Sequence, residues 1–225
     1  ISAGGFGKDL SPEDFLATLF RLQEEGAHNL NLVSPTQYWP QLIPLLREAK
    51  RKLSIPIVYN GNGFERLEVI QALEGLIDVY LPDLKYSDDS LAFRYSGIED
   101  YFLHASRAVR AMVDQVGTPL EAEGIMTRGV LVRHLVLPGA LSNTRGVLAW
   151  ISENLPGIPV SLMSQYTPLF GAAECPPLDR SLSPAEYEEA LAWFEAGELE
   201  GFVQELDAAG TEQIPDFDLS GVFSN

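Results

Sequence analysis

LIDVYLPDLK, residues 76–85, decides how this chain is read. Its Leu, Ile, Val, Tyr and Leu form an apolar run rich in β-branched and aromatic residues, the mark of a buried parallel strand. Asp78 interrupts the run, and Pro82 closes it. Proline cannot donate to a sheet ladder, so Pro82 marks the strand's exit or an edge. Asp83 and Lys85 therefore emerge, two residues apart, where strand gives way to loop. In a parallel sheet with helical crossovers, ligands bind at that carboxyl end. A surface ion pair would account for one such strand end, but the same kind of polar cluster recurs at others.

Working outward, four more strands are predicted, alternating with helices. HNLNLVS (28–34) alternates polar and apolar residues and runs into Pro35-Thr36, and His28, standing alone, reads as a hydrogen-bonded structural residue. IPIVYN (55–60) stops at Asn60-Gly61-Asn62-Gly63, a string that turns the backbone sharply and offers amides and two carboxamides to a ligand. A helix over 65–73 follows it, so this Asn-Gly is not a hairpin turn. GVLVRHLV (129–136) carries Arg133 and His134 side by side. Adjacent strand residues face opposite ways, so at most one of the two points into a barrel. PVSLMSQ (159–165) ends in Gln165-Tyr166-Thr167-Pro168.

Helices are predicted from Ser11, with Pro12 at the first helical position and Gly26 ending it, over 38–52, over 98–116 and over 142–154. Tyr101, Ala105, Ala108, Val109 and Met112 form the core stripe of the third of these. The segment 183–206 is read as helical, opened by the capping pattern Ser183-Pro-Ala-Glu186, and the end of the chain as irregular. Residues 1–10 form a lead-in whose glycine-rich start reads as a loop.

Five strands alternating with helices predict a parallel sheet with right-handed crossovers. They cannot close an eight-stranded barrel, which takes about 250 residues. An open partial barrel, lacking a strand upstream, fits better. Its five strand ends converge on one polar mouth.

The composition narrows the function. With 225 residues, 46% of them hydrophobic, the chain makes one sizeable core and one domain, 1–225. A net charge of −17 argues against nucleic acid or an anionic membrane as partner, and no apolar run reaches the ~20 residues of a membrane span. The single cysteine, Cys175, excludes an internal disulfide, fits a reducing, cytoplasmic compartment, and cannot by itself hold a zinc or an iron–sulfur cluster. The chain opens at Ile1 without a signal-peptide pattern, so a fragment or processed product is expected.

YNGNGF (59–64), DVYLPDLKY (78–86), VRHLVLPG (132–139) and LMSQYTP (162–168), in this order and spacing, resemble the radical S-adenosylmethionine (SAM) enzymes. The resemblance is to the pyruvate formate-lyase activating enzyme family, in its less characterised branch with NLNLVSPT (29–36) at the second strand. It implies an α/β fold, an open parallel partial TIM barrel of the (β/α)6 type, here without the first strand and cluster loop. In that family a CxxxCxxC loop holds a [4Fe–4S] cluster whose open iron chelates SAM. Reductive cleavage then yields a 5′-deoxyadenosyl radical, which abstracts hydrogen from a glycine of a partner glycyl-radical enzyme, with flavodoxin or ferredoxin as electron donor. The resemblance assigns SAM contacts to Ser34, Pro35 and Thr36 in the place of a Gly-Gly-Glu, to Asn60 near the ribose with Asn62 and Gly63 completing the turn, and to Asp83 and Lys85. Lys85 suits the methionine carboxylate. Arg133 and Gln165 with Tyr166 complete the set, Tyr166 standing near a family histidine. The cluster cysteines are expected upstream of Ile1, so no metal ligand is assigned in this chain, and alone it is expected to bind no cluster and to be inactive.

Two other readings belong beside this one. Lys85 next to Asp83 at a barrel strand end also suits a Schiff-base lyase or aldolase. Alternatively, the open acidic sheet is a non-catalytic module docking a basic partner. An unpaired first edge would favour a dimer or aggregation.

Overall fold

A computed structural model describes residues 7–206. Residues 1–6 of the expected lead-in, and the chain end from residue 207 that was expected to be irregular, lie outside the described residues. Eight strands and seven α-helices follow in the order α1 (Pro12–Glu24), β1 (Leu30–Val33), α2 (Trp39–Ala49), β2 (Ile57–Gly61), α3 (Leu67–Ala72), β3 (Val79–Pro82), α4 (Asp89–Ser96), α5 (Tyr101–Val116), β4 (Leu120–Ala122), β5 (Ile125–Val130), β6 (Val132–Leu135), α6 (Leu141–Asn154), β7 (Val160–Met163), α7 (Pro184–Ala196) and β8 (Gly201–Val203). The caps read from sequence are in place. Ser11 accepts the Asp14 amide, and Ser183 and Glu186 form a reciprocal capping box on α7. No helix among the described residues is long and apolar enough to cross a membrane.

β1, β2 and β3 pair in parallel, β3 pairs with β5, and β6, β7 and β8 form a second parallel set. The two sets are one surface. Val79 is opposite Gly129, Tyr80 opposite Val130, and Asp83 bridges to Arg133 at the same offset. β5 and β6 are thus a single run along β3, as the 129–136 reading expected. It breaks at Leu131 because Pro82, one position further along β3, has no N–H to give the Leu131 carbonyl. The run resumes where the Leu84 amide donates to the Arg133 carbonyl at 2.9 Å. The result is an open parallel partial barrel.

Its buried face packs against the helices in a main core, through Ile57, Tyr59 and Tyr80 of the strands, Ile70 of α3, Met112 of α5 and Ile151 of α6, with a smaller cluster of Leu19, Leu30 and Ala49 beside it. Asp78, the polar break in the leading stretch, lies at the opposite end from the mouth. There it pairs with Lys50 and accepts the Ile57 amide at 2.8 Å.

Two expectations are corrected, and one strand that was not read is added. The segment 183–206 is not all helix: α7 stops at Ala196, and β8 adds a sixth parallel position beside β7. A three-residue strand carries too little pattern to read. It forms because Gly201 lies so close to Val160 that a Cβ there would be 2.0 Å from the Val160 carbonyl oxygen. The antiparallel strand β4 was hidden in an irregular stretch, where it folds onto β5 through a turn at Glu123-Gly124, both with positive φ. His28 is exposed and forms no hydrogen bond to another described residue, so it is not a structural anchor.

Arg133 and His134 face opposite sides, as their adjacency requires. The fully buried His134 ring donates Nδ1–H to the Leu84 carbonyl at 2.7 Å and accepts the Thr144 hydroxyl at 3.0 Å, which assigns the neutral tautomer. Desolvation pushes this imidazole down to about 4, whereas the unfolded chain titrates near 6.5. Between these values the unfolded state binds more protons. The stability due to the neutral ring is therefore full above about pH 6.5 and is lost as pH falls toward 4. We expect urea-derived unfolding free energy to drop by up to about 3 kcal/mol more for the wild type than for His134→Gln across that window. Equal slopes in the two proteins would show that another group titrates.

Candidate functional site

Partners in a parallel ladder project to the same face. The pairs Val33 with Asn60, Asn60 with Leu81 and Asp83 with Arg133 therefore put Asn60, Asp83 and Arg133 on the face opposite buried Tyr59, Tyr80 and His134. There Asp83 stands between two cations. Its Oδ1 is 2.6 Å from Arg133 Nη2, an ion-pair contact without hydrogen-bond alignment, and its Oδ2 is 3.7 Å from Lys85 Nζ. The trio carries a net positive charge at the carboxyl ends of the strands. Arg133 Nε is buried and unpartnered, so the guanidinium retains donors for an incoming anion.

The loops around the trio are held tightly. Gly63 has φ +74°, and a Cβ on it would lie 1.9 Å from the Asp83 carbonyl oxygen. Asn62 shapes that turn by accepting the Phe64 amide at 3.0 Å. Ser34, also at positive φ, donates its amide to the Asn60 carbonyl at 2.8 Å, which ties the β1 and β2 ends together.

Sequence reasoning missed two residues that hold the Asp83–Lys85 loop. The Tyr101 hydroxyl accepts the Lys85 amide at 2.9 Å, and buried Asn143 donates to the Lys85 carbonyl at 2.9 Å while accepting the Ser87 amide at 2.8 Å. Tyr101 was legible only as core and Asn143 only as a helix residue. A capping pattern could not reveal either one's distant partner.

Glu65 was also missed, having read as the first residue of a helix. It is buried, and its Oε1 accepts from the Thr36 hydroxyl at 2.6 Å and the Tyr59 hydroxyl at 3.0 Å. Burial raises the Glu65 carboxyl above its ordinary range and the Tyr59 phenol likewise. The Thr36 side chain is thereby drawn to the side of Tyr59, away from Asp83. Pro35 is buried beside it. The Tyr166 hydroxyl is committed to the Leu178 carbonyl at 2.7 Å, and Gln165 makes one long contact, 3.4 Å, with Gln204. Of the predicted residues, Asn60, Asp83, Lys85 and Arg133 share the mouth, with Gly63 directly behind Asp83. Ser34, Pro35 and Asn62 shape its rim, while the Thr36 and Tyr166 hydroxyls are occupied elsewhere.

No protein-family model matches the chain. An uncharacterized protein of Methanocaldococcus jannaschii is 31% identical over 180 residues, which cover 78% of this chain and 48% of the relative. The chain thus spans about half the length of that relative. Among solved structures, a domain of a pyruvate-formate lyase-activating enzyme from Bacteroides vulgatus matches with a TM-score of 0.57 at 12% identity, over 79% of this chain and 98% of that one. Streptococcus suis SuiB bound to S-adenosylmethionine matches at 0.56 and 14% identity, over 94% and 48%. A radical SAM methyltransferase from Sphaerobacter thermophilus matches at 0.56 and 15% identity, over 90% and 61%. The chain shares the fold of these three enzymes.

Among the described residues this fold carries no cluster site. Cys175 is its one cysteine, and no three His, Cys, Asp or Glu among the described residues are grouped to hold a metal ion. A [4Fe–4S] cluster does not fit the residues present. For SAM the donor set does fit: the spare donors of Arg133 and the half-exposed Lys85 ammonium suit a carboxylate, and Asn60 on the same face supplies a carboxamide.

Proposed function

We propose that the mouth formed by Asn60, Asp83, Lys85 and Arg133 binds SAM, within a protein that cleaves it reductively as the activating enzymes of this fold do. The observation that supports this most is the Arg133–Asp83–Lys85 trio, set at the strand ends of a radical SAM fold with unused cationic donors. Lys85 and Arg133 receive the methionine carboxylate, and Asn60 faces the ribose. The Ser34–Thr36 rim takes the amino group through backbone carbonyls. Bound SAM would supply a sulfonium whose carbon–sulfur bond breaks on one-electron reduction. The chain's own part is to hold and orient it. The cluster would come from cysteines outside this sequence, and the hydrogen donor would be a protein, such as a glycyl-radical enzyme, or a peptide. In SuiB, the fold occurs bound to a precursor peptide.

The Schiff-base alternative is less favoured because its lysine needs desolvation, and the Lys85 side chain is 45% exposed. The docking-module alternative leaves the trio without a purpose.

Calorimetric titration of this chain with SAM tests the binding. Saturable binding is expected, weakened about tenfold in Lys85→Ala by loss of a charge-assisted contact. No saturable heat, or an unchanged constant in the variant, would overturn the assignment. The gene product prepared anaerobically should additionally contain iron and sulfide and form 5′-deoxyadenosine on reduction.

A further inference from the structure

Behind the mouth, on the outer side of the sheet, a cleft of about 820 Å³ opens between the turn after β2, the start of α3 and the first turns of α5. None of Asn60, Asp83, Lys85 or Arg133 lines it, and Thr36 alone belongs both to its wall and to the rim of the mouth. Its size is that of a small-ligand pocket. Its walls include Trp39 and Phe64, and Phe64 is held in place by stacking on Tyr101 at 5.6 Å.

Among the charged side chains that line this cleft, Glu65, Arg66 and Arg107 have unused hydrogen-bonding capacity, and Glu68 stands exposed beside them. Glu65 is only 4% exposed, and while its Oε1 serves Thr36 and Tyr59, its Oε2 is buried with no hydrogen bond. Arg66 and Arg107 also line the cleft, and neither pairs with any described residue, although the chain holds 32 acids against 15 lysines and arginines. A buried acceptor without a donor needs one, and unpaired guanidinium groups are fork-shaped carboxylate receptors.

We propose that this cleft is a second ligand pocket, for a free amino acid or the end of a short peptide that carries both an ammonium and a carboxylate. The ammonium satisfies Glu65 Oε2, the carboxylate lies on Arg66 and Arg107, and the apolar body rests against Trp39 and Phe64. An anion alone would meet the Glu65 carboxyl, and a cation alone would meet the two arginines. Only a ligand with both groups satisfies all three.

The test is a calorimetric screen of this chain against the standard L-amino acids and their glycyl dipeptides at millimolar concentration. The best binder is then compared with its deaminated and decarboxylated analogues. Each analogue should bind about tenfold more weakly or worse, as should Glu65→Gln and the double variant Arg66→Met/Arg107→Met. Absence of saturable binding across the panel overturns the proposal. So does a deaminated analogue as tight as its parent, or a double variant that binds normally. If Glu65→Gln fails to fold by circular dichroism, the double variant, which alters only exposed side chains, carries the test. SAM titration of that variant should be unchanged, which separates this pocket from the mouth.

Discussion

Replacing Gly63 with alanine is expected to destabilise the protein by about 2–5 kcal/mol and to abolish SAM binding at the mouth. Two costs add. The backbone at φ +74° is one that L-residues adopt with strain, and the new Cβ would lie 1.9 Å from the Asp83 carbonyl oxygen, inside any tolerable contact. The obstacle is backbone, not a side chain that could swing away, so relief requires β2 and β3 to part where Asp83 leaves the sheet. Gly26→Ala separates the two costs, since its φ is +86° and no heavy atom stands within 4 Å of the new Cβ. It should lose only about 1–2 kcal/mol. Urea unfolding of both variants measures this. Equal losses would show that the close approach to Asp83 is not what requires glycine at 63.

The second large effect concerns Arg133. Its guanidinium pairs with Asp83 and keeps Nε free in a half-buried setting, so Arg133→Met removes the main partner of Asp83 and a cationic receptor together. SAM binding should weaken about ten- to a hundredfold, with a stability loss of about 1–3 kcal/mol. Arg133→Lys should recover charge but not the planar fork, and so only part of the affinity. Titration and urea unfolding on the same preparations distinguish lost binding from lost folding. An Arg133→Met protein that binds SAM as the wild type does would move the ligand away from this mouth.

The parallel architecture was legible because each long strand has its own signal. Strands 57–61 and 79–82 are apolar and β-branched, and each ends in a Gly, Pro or Asn break. That Arg133 and His134 face opposite sides followed from their adjacency, but which of them faces the mouth did not. The converging ends of Asn60, Asp83 and Arg133 could likewise be read from chain order. What remained hidden depends on distant partners. Glu65 becomes a junction only when Thr36, 29 residues away, lies 2.6 Å from it. Asn143 reaches the Lys85 loop across 58 positions. The resemblance put Thr36 in the place of a family residue and Tyr166 near one, yet their hydroxyls are claimed by Glu65 and Leu178, which spacing cannot show. β8 escaped because three residues, one of them Gly201, hold no period.

Pro82 has a mechanical consequence. By withholding one amide from Leu131, it leaves a seam down the middle of the curved sheet, with β1, β2 and β3 on one side and β6, β7 and β8 on the other. Along this line the ladder lacks one rung, so a change of curvature there strains fewer bonds than it would in an unbroken ladder. The first fastening beyond the gap is Asp83 on Arg133. The groups proposed to receive SAM are therefore also a clasp across this line. A ligand drawing Arg133 away from Asp83 would loosen that clasp as it enters.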